Sequence, residues 1–176
     1  GRNGSPIWSV MIKQLVRSAS RNAFLADRVA AMRRNGRVIM VFSDIIEQLK
    51  TLREMVGQRG IPAEEIGLFD GSTREADRAA QLARPIVMCS YGMANEGVDK
   101  KEADACVMAT PKSRIIQCVG RVQRPCEGKQ MPLVLDVVDD APIFRNMRWA
   151  RQKIYSAERY EVQVLPHDSA ESAWFA

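Results

Sequence analysis

Apolar residues recur along this chain in two different periods. Val38-Ile39-Met40-Val41-Phe42 is an unbroken apolar run, short and partly β-branched. Four more short runs follow: Ile66-Gly67-Leu68-Phe69, Ile86 to Cys89, Ala105 to Ala109, and Leu133 to Val138. Runs this short, and continuous rather than alternating, predict strands covered on both faces. Between them the apolar positions fall three or four apart. Ile7, Trp8, Met11, Ile12, Leu15 and Val16, then Phe24, Leu25, Val29 and Met32, predict helix across 6–34. Ser20 is the expected cap of the second run, and Asn35-Gly36 its stop signal. Ile45, Ile46, Leu49, Leu52, Met55 and Val56 predict a helix opened by Ser43-Asp44 and closed before Gly60. Ser72 and Glu75 read as a capping box for a short helix through Leu82. Pro142 is suited to the first position of a long helix ending near Glu158. Residues 92–98 are expected to form a loop with one helical turn, and Glu161 to Leu165 an edge strand.

Five alternations of strand and helix predict an α/β fold: a doubly wound, mostly parallel sheet with helices on both faces. Ligands are then expected beyond the carboxyl ends of the strands. A length of 176 residues suits one domain. Its expected limits are a helical lead-in at 1–19, the domain proper at 20–165 and a loose tail at 166–176. Gly1 stands where Met would open a gene, so residues 1–5 read as a cloning scar and the chain as an excised piece of a longer protein.

Composition narrows the chemistry. A net charge of +5 favours an anionic partner such as nucleic acid. The cysteines are Cys89, Cys106, Cys118 and Cys126, without a C-x-x-C pair, and His167 is the single histidine. No metal site is therefore expected. The first three cysteines lie in apolar contexts and read as small core residues, which implies a reducing compartment. No apolar run approaches the ~18–20 residues of a membrane span, and no secretory signal opens the chain. The expectation is an intracellular protein, in cytoplasm, nucleus or virion, with no membrane partner.

The densest chemistry lies in Gln117-Cys118-Val119-Gly120-Arg121-Val122-Gln123-Arg124-Pro125. As a helix capped by Ser113, this stretch puts Ile115, Ile116, Val119 and Val122 on a core face. Gln117, Gly120, Arg121 and Arg124, at i, i+3, i+4 and i+7, share the polar face. Pro125 ends the helix near the arginines. Guanidinium is permanently charged and forks onto phosphate oxygens, so the face suits a multiply charged anion. Upstream, Ser90-Tyr91-Gly92-Met93-Ala94-Asn95-Glu96-Gly97-Val98-Asp99 follows a strand. Its glycines allow close backbone approach to a ligand, and Asp99 can accept from hydroxyls. The helix from Pro142 interleaves aromatics with bases: Phe144, Arg145, Arg148, Trp149, Arg151, Lys153, Tyr155, Arg159 and Tyr160. That pattern fits single-strand binding. The expectation adopted is the plainer one, a helix packed through Phe144, Met147 and Ile154 with a solvated basic face.

Taken together, these stretches resemble the superfamily 2 helicases. Ser90 to Asp99 is similar to motif V, Gln117-x-x-Gly120-Arg121-x-x-Arg124 to motif VI, and Val41-Phe42-Ser43-Asp44 to motif IV. Gly71 with Arg78 resembles the patch between motifs IV and V. Ala109 to Ser113, Gln117 and Asp136-Val137-Val138-Asp139 look most like DNA-repair, phage and large-DNA-virus members. The resemblance covers about 20–160 and implies a RecA-like C-terminal domain. It implies Arg121 and Arg124 as arginine fingers, assisted by Gln117, on the phosphates of ATP with Mg²⁺. Asp99 would meet the ribose, with Glu96 and Gly97 beside it. Ser43, Gly71, Ser90 and Tyr91 would meet nucleic acid, and Gln117 in place of a histidine leans the choice toward DNA over RNA. No G-x-x-x-x-G-K-[ST] and no Asp-Glu pair after a strand occur in the chain. The expected partner is therefore an N-terminal RecA-like domain of the same parent chain, which would bind ATP jointly. The chain alone is expected to be inactive. The alternatives carried forward are a non-catalytic nucleic-acid-binding or interaction module of the same fold, and a double-strand translocase that does not unwind.

Overall fold

The computed structural model describes residues 8–95, 99–166 and 168. Five parallel strands form one sheet: β1 (Ile39–Ser43), β2 (Ile66–Phe69), β3 (Ile86–Ser90), β4 (Ala105–Met108) and β5 (Leu133–Asp136), in the order β2-β3-β1-β4-β5. Among the described residues seven α-helices accompany them: α1 (Trp8–Arg17), α2 (Ala19–Arg34), α3 (Ile46–Gly57), α4 (Glu75–Leu82), α5 (Tyr91–Asn95), α6 (Ile116–Val122) and α7 (Pro142–Ala157). The fold class is the one the apolar runs predict.

The sheet has two buried faces because successive strand residues point to opposite sides. Ile39, Val41, Ile86, Met88, Ala105 and Val107 meet Leu25, Val29 and Met32 of α2 and Leu49, Leu52 and Val56 of α3. Met40, Phe42, Val87, Cys89, Cys106 and Met108 meet Tyr91 and Met93 of α5, Cys118, Val119 and Val122 of α6 and Tyr155 of α7. Ile39, Met40, Val41 and Phe42 in the central strand are all fully buried. A smaller cluster joins Ile12, Leu15 and Val16 of α1 to Phe144 of α7, with the Trp8 and Phe144 rings edge to face at 5.7 Å. Gly67 lets β2 pass under α4: a Cβ there would run into the backbone carbonyl of Gln81.

Several local expectations change. Ser18, not Ser20, caps α2, accepting from the Arg21 N–H at 3.4 Å and breaking the 6–34 helix in two. The Asn35-Gly36 stop is as read, with Gly36 at φ +79°. α3 starts after Ser43-Asp44, at Ile46, and the Ser43 hydroxyl folds back onto the Ile45 N–H. The capping box at Ser72 does not form. Asp70 holds Ser72 through both its N–H and its hydroxyl, at 2.7 and 2.6 Å, and α4 begins behind Arg74 without a side-chain cap. Nor is there a strand at Glu161 to Leu165: the segment has no regular structure, with Val162 and Val164 exposed beside the open edge of β5. Most of the tail expected at 166–176 lies outside the described residues.

Candidate nucleotide and nucleic-acid site

Two of the stretches singled out in the sequence bring their hydroxyl residues to neighbouring strand ends. Ser43 of β1 sits opposite Ser90 of β3 on the last paired rung. The Ser43 hydroxyl is fully buried and donates to Gln48 Oε1 at 2.8 Å. Gln48 in turn donates to Asn22 Oδ1 at 3.0 Å, and Asn22 to the Val16 carbonyl at 2.8 Å. Ser43, Gln48 and Asn22 thus form a relay in which each side chain is hydrogen-bonded, as a low-dielectric site requires. Tyr91 is also buried. Its ring stacks on Phe42 at 5.6 Å and its hydroxyl donates to the Thr110 carbonyl at 2.8 Å. Burial pushes the Tyr91 phenol well above its usual range. These contacts revise the direct role expected of two residues: Ser43 and Tyr91 turn their side chains into the domain, so they shape the strand ends from within. Ser90 is half-buried, and Gly71 is exposed with open space where a Cβ would stand.

Above Tyr91 lies a residue of the Ala109 to Ser113 stretch to which the motif reading gave no site role. Lys112 is bonded to Asp44 at 2.7 Å, with its ammonium 5.1 Å from the Tyr91 ring centre. The Asp44 N–H is held by the Thr110 hydroxyl at 2.9 Å. The sequence signal was the polar pair Thr110 and Lys112 directly after β4, where such folds place ligands.

The second cluster gathers around α6. Arg124, just past the end of that helix, donates to Asp99 Oδ1 at 2.6 Å, and Lys101 stands 3.9 Å from the same carboxylate. Two residues 25 positions apart in sequence therefore touch. Glu96 and Gly97 lie outside the described residues. Gln117 is exposed. Arg121 departs from the expected pattern: only 5% of it is exposed, so it is not on an open polar face with Arg124. The helix is shorter than read and begins at Ile116 without help from Ser113, which leaves Ile116 outward at 43% exposure and turns Cys118 inward.

Cys89 and Cys118 are buried in the core cluster that α6 packs into. Burial, with the neighbouring sulfur adding to it, pushes Cys89 up to about 12. Burial likewise pushes Cys118 up to about 12, against the opposing pull of Arg121. Burial, reinforced by the charge of Arg124, lowers Arg121 from its usual value, while Cys118, Cys89 and Asp99 act the other way. The buried Arg121 guanidinium thus feels two neutral thiols, the charge of Arg124 and the carboxylate of Asp99. Like charges that feel one another favour an anion nearby.

The long helix also differs from its sequence reading. Phe144 is buried, as expected, but so are Arg151 and Tyr155, which had been placed in the basic stripe. Arg151 donates to Asp136 Oδ2 at 2.7 Å and to the Lys112 carbonyl at 3.2 Å. Tyr155 donates to the same carboxylate oxygen at 3.1 Å. Burial alone would lower Arg151, but the hydrogen bond and charge of Asp136 raise it. Nearby, Arg21 grips Asp139 with two bonds, at 2.7 and 2.9 Å. These interactions belong to the fold.

No family model matches the chain. It is 27% identical over 164 residues to the ATP-dependent RNA helicase L396 of Acanthamoeba polyphaga mimivirus, an activity that name carries provisionally; the match covers 93% of this chain. The chain spans about a third, 32%, of that relative. In three dimensions it is similar to the crystal structure of T4 UvsW, with TM-score 0.67, 18% identity, 90% of this chain and 37% of that one. It is also similar to domain 2 of the DEAD-box helicase Mss116p, a structure bound to an RNA duplex, with TM-score 0.56, 18% identity, 74% of this chain and 56% of that one.

Proposed function

We propose that this chain, which belongs with the C-terminal RecA-like domains of superfamily 2 helicases, is the second motor domain of an ATP-dependent nucleic-acid helicase or translocase. The observation that carries the reading is the meeting of Asp99 and Arg124 at 2.6 Å beside the buried Arg121. A carboxylate suited to sugar hydroxyls and a guanidinium suited to phosphate stand together at one rim, with the buried Arg121 behind them. The set fits a nucleoside triphosphate: one reachable cation for its oxygens, a second that adds to the field, and one acceptor for its ribose. ATP with Mg²⁺, held jointly with an N-terminal RecA-like domain, would supply the free energy of phosphate hydrolysis.

Arg124 would turn from Asp99 to the phosphates and stabilise charge as it spreads over the transferring group. Fingers of this kind contribute ~10³–10⁵ in rate. Arg121, already desolvated, holds its charge in place and adds to the positive field. Asp99, released by Arg124, becomes free to accept from hydroxyls. The exchange has a small cost because the Arg124–Asp99 pair is half-exposed, and such pairs contribute roughly 0–1 kcal/mol. The nucleic acid would cross the strand ends near Ser90 and Gly71, which remain reachable. The lean toward DNA rests on Gln117 alone, so the substrate is put as nucleic acid of either kind.

The test is ATP turnover by the protein containing both RecA-like domains. Arg124→Ala is expected to lower kcat about a thousandfold with KM little changed, because the charge it meets peaks in the transition state. Arg124→Lys should rescue poorly, since an ammonium does not fork onto two oxygens. Steady ATP turnover by this chain alone, surviving Arg124→Ala, would overturn the assignment. Strand displacement against simple translocation on duplex then separates a helicase from a translocase.

A further inference from the structure

Folding sorts the basic-aromatic residues of α7 into two sets. Phe144, Arg151 and Tyr155 turn inward to α1 and to Asp136. Arg145, Trp149 and Lys153 remain outside, at i, i+4 and i+8, and so form one row about 12 Å long. Trp149 is 65% exposed and is the one large apolar side chain of α7 left open to solvent. The rest of that face is Asn146, Gln152 and Ser156, all hydrogen-bonding and uncharged. Residues 142–157 contain no acidic side chain. Among the described residues one carboxylate pairs with the row from outside the helix: Asp140, 3.5 Å from Arg145 in a mostly exposed pair. A phosphate displaces such a pair readily.

We propose that this outward row is a contact for single-stranded nucleic acid, with Trp149 as a stacking platform and Arg145 and Lys153 as phosphate contacts on either side. An indole ring flanked by cations suits an unstacked base, whose face a duplex keeps covered. A protein partner is the less fitting occupant. Lone cations flanking one aromatic, with no second apolar residue beside it, lack the apolar centre that protein interfaces show. The proposal rests on the reading of the chain as a nucleic-acid motor domain, and it adds a site apart from the strand ends that this reading uses.

The test is binding of a fluorescein-labelled oligodeoxythymidine to the full chain, followed by anisotropy across a salt series. Trp149→Ala should weaken binding about 5- to 50-fold with an unchanged salt slope, and Trp149→Phe should retain most of the affinity. Arg145→Gln with Lys153→Gln should instead flatten the salt slope by about 1 to 1.5. All are surface changes, so unchanged melting temperatures accompany the effect. Unchanged binding in Trp149→Ala would overturn the proposal, as would equal weakening on a blunt duplex. It would also be overturned if acrylamide fails to quench Trp149 in a variant with Trp8 and Trp174 replaced by Phe, joined to the N-terminal domain, since protein would then cover the ring. Failure of the motor reading shows elsewhere, as ATP turnover indifferent to Arg124→Ala.

Discussion

Arg151 and Arg124 each bond an aspartate at nearly the same distance, 2.7 Å to Asp136 and 2.6 Å to Asp99. Their surroundings are opposite. Arg151 is 1% exposed, and its carboxylate also receives Tyr155. Arg124 and Asp99 are about half in water. In the first pair both charges have left solvent, so each depends on the other and neither is available to a ligand. In the second, water already competes for both groups, and a better partner can take either one. The same two functional groups thus act as a structural lock in one place and as a loosely held site in another. Burial is what distinguishes them.

The largest expected effect separates the two. Arg151→Ala strands the Asp136 charge in a mostly buried position and should cost about 3–5 kcal/mol in denaturant unfolding. Replacing Arg151 with Met and Asp136 with Leu together should recover much of that loss. If the double variant is no better than Arg151→Ala, the pair is not the lock described. Next comes Arg121→Ala. Its buried stem now predicts a loss of roughly 2 kcal/mol, which differential scanning calorimetry can read. The control on the same helix is Val119→Ala, expected to lose about 1–2 kcal/mol while turnover of the two-domain protein stays near normal.

The two buried thiols give a pH test whose size grows with each unit above pH 9. The folded pKa of Cys89 and of Cys118 is raised to about 12, while an unfolded thiol titrates near 9. A raised folded pKa means stability is fully present below pH 9 and is lost as pH climbs toward 12. The loss should approach ~1.4 kcal/mol per thiol for each unit inside that window. A chain whose urea midpoint stays level from pH 8 to 10.5 would contradict this burial. Smallest of all is Arg124→Ala, expected to change stability by less than about 1 kcal/mol. A loss as large as that of Arg151→Ala would erase the contrast between the two pairs.

The sheet was legible because its strands are buried on both faces, which leaves unbroken apolar runs such as Val38 to Phe42. For the site, the motif reading singled out Asp99 and Arg124 separately, and the contact between them came from the fold. What periodicity missed were residues whose role depends on distant neighbours. Arg121 falls on the polar side of a helical wheel, yet the folded domain buries it. Arg151 looked like one more base in a stripe; only Asp136, at the end of an apolar strand, hinted at its partner. At Ser72 a local competitor won, since Asp70 captured the hydroxyl before a helix cap could form. The alternation at Glu161 to Leu165 fits a strand, but a pattern along one segment does not provide the partner that a strand needs.

The order of strands has a consequence for how the chain assembles as it is synthesised. β1, the middle strand, is bonded to β3 and β4 and not to β2, the strand that follows it: Ile39 faces Ile86 and Ala105. The nearest pairing in sequence is β2 with β3, closed over α4, where Ile66 faces Ile86. A nascent chain halted before β3 therefore holds Ile39 to Phe42 with no neighbour on either side. Such a run is apolar and strand-forming, the kind of segment that associates with other copies. The β2-α4-β3 unit is expected to form first and to act as the template that draws β1 in. Slow passage of the ribosome through residues 44–85 should prolong the exposure of β1, and fast delivery of β3 should end it.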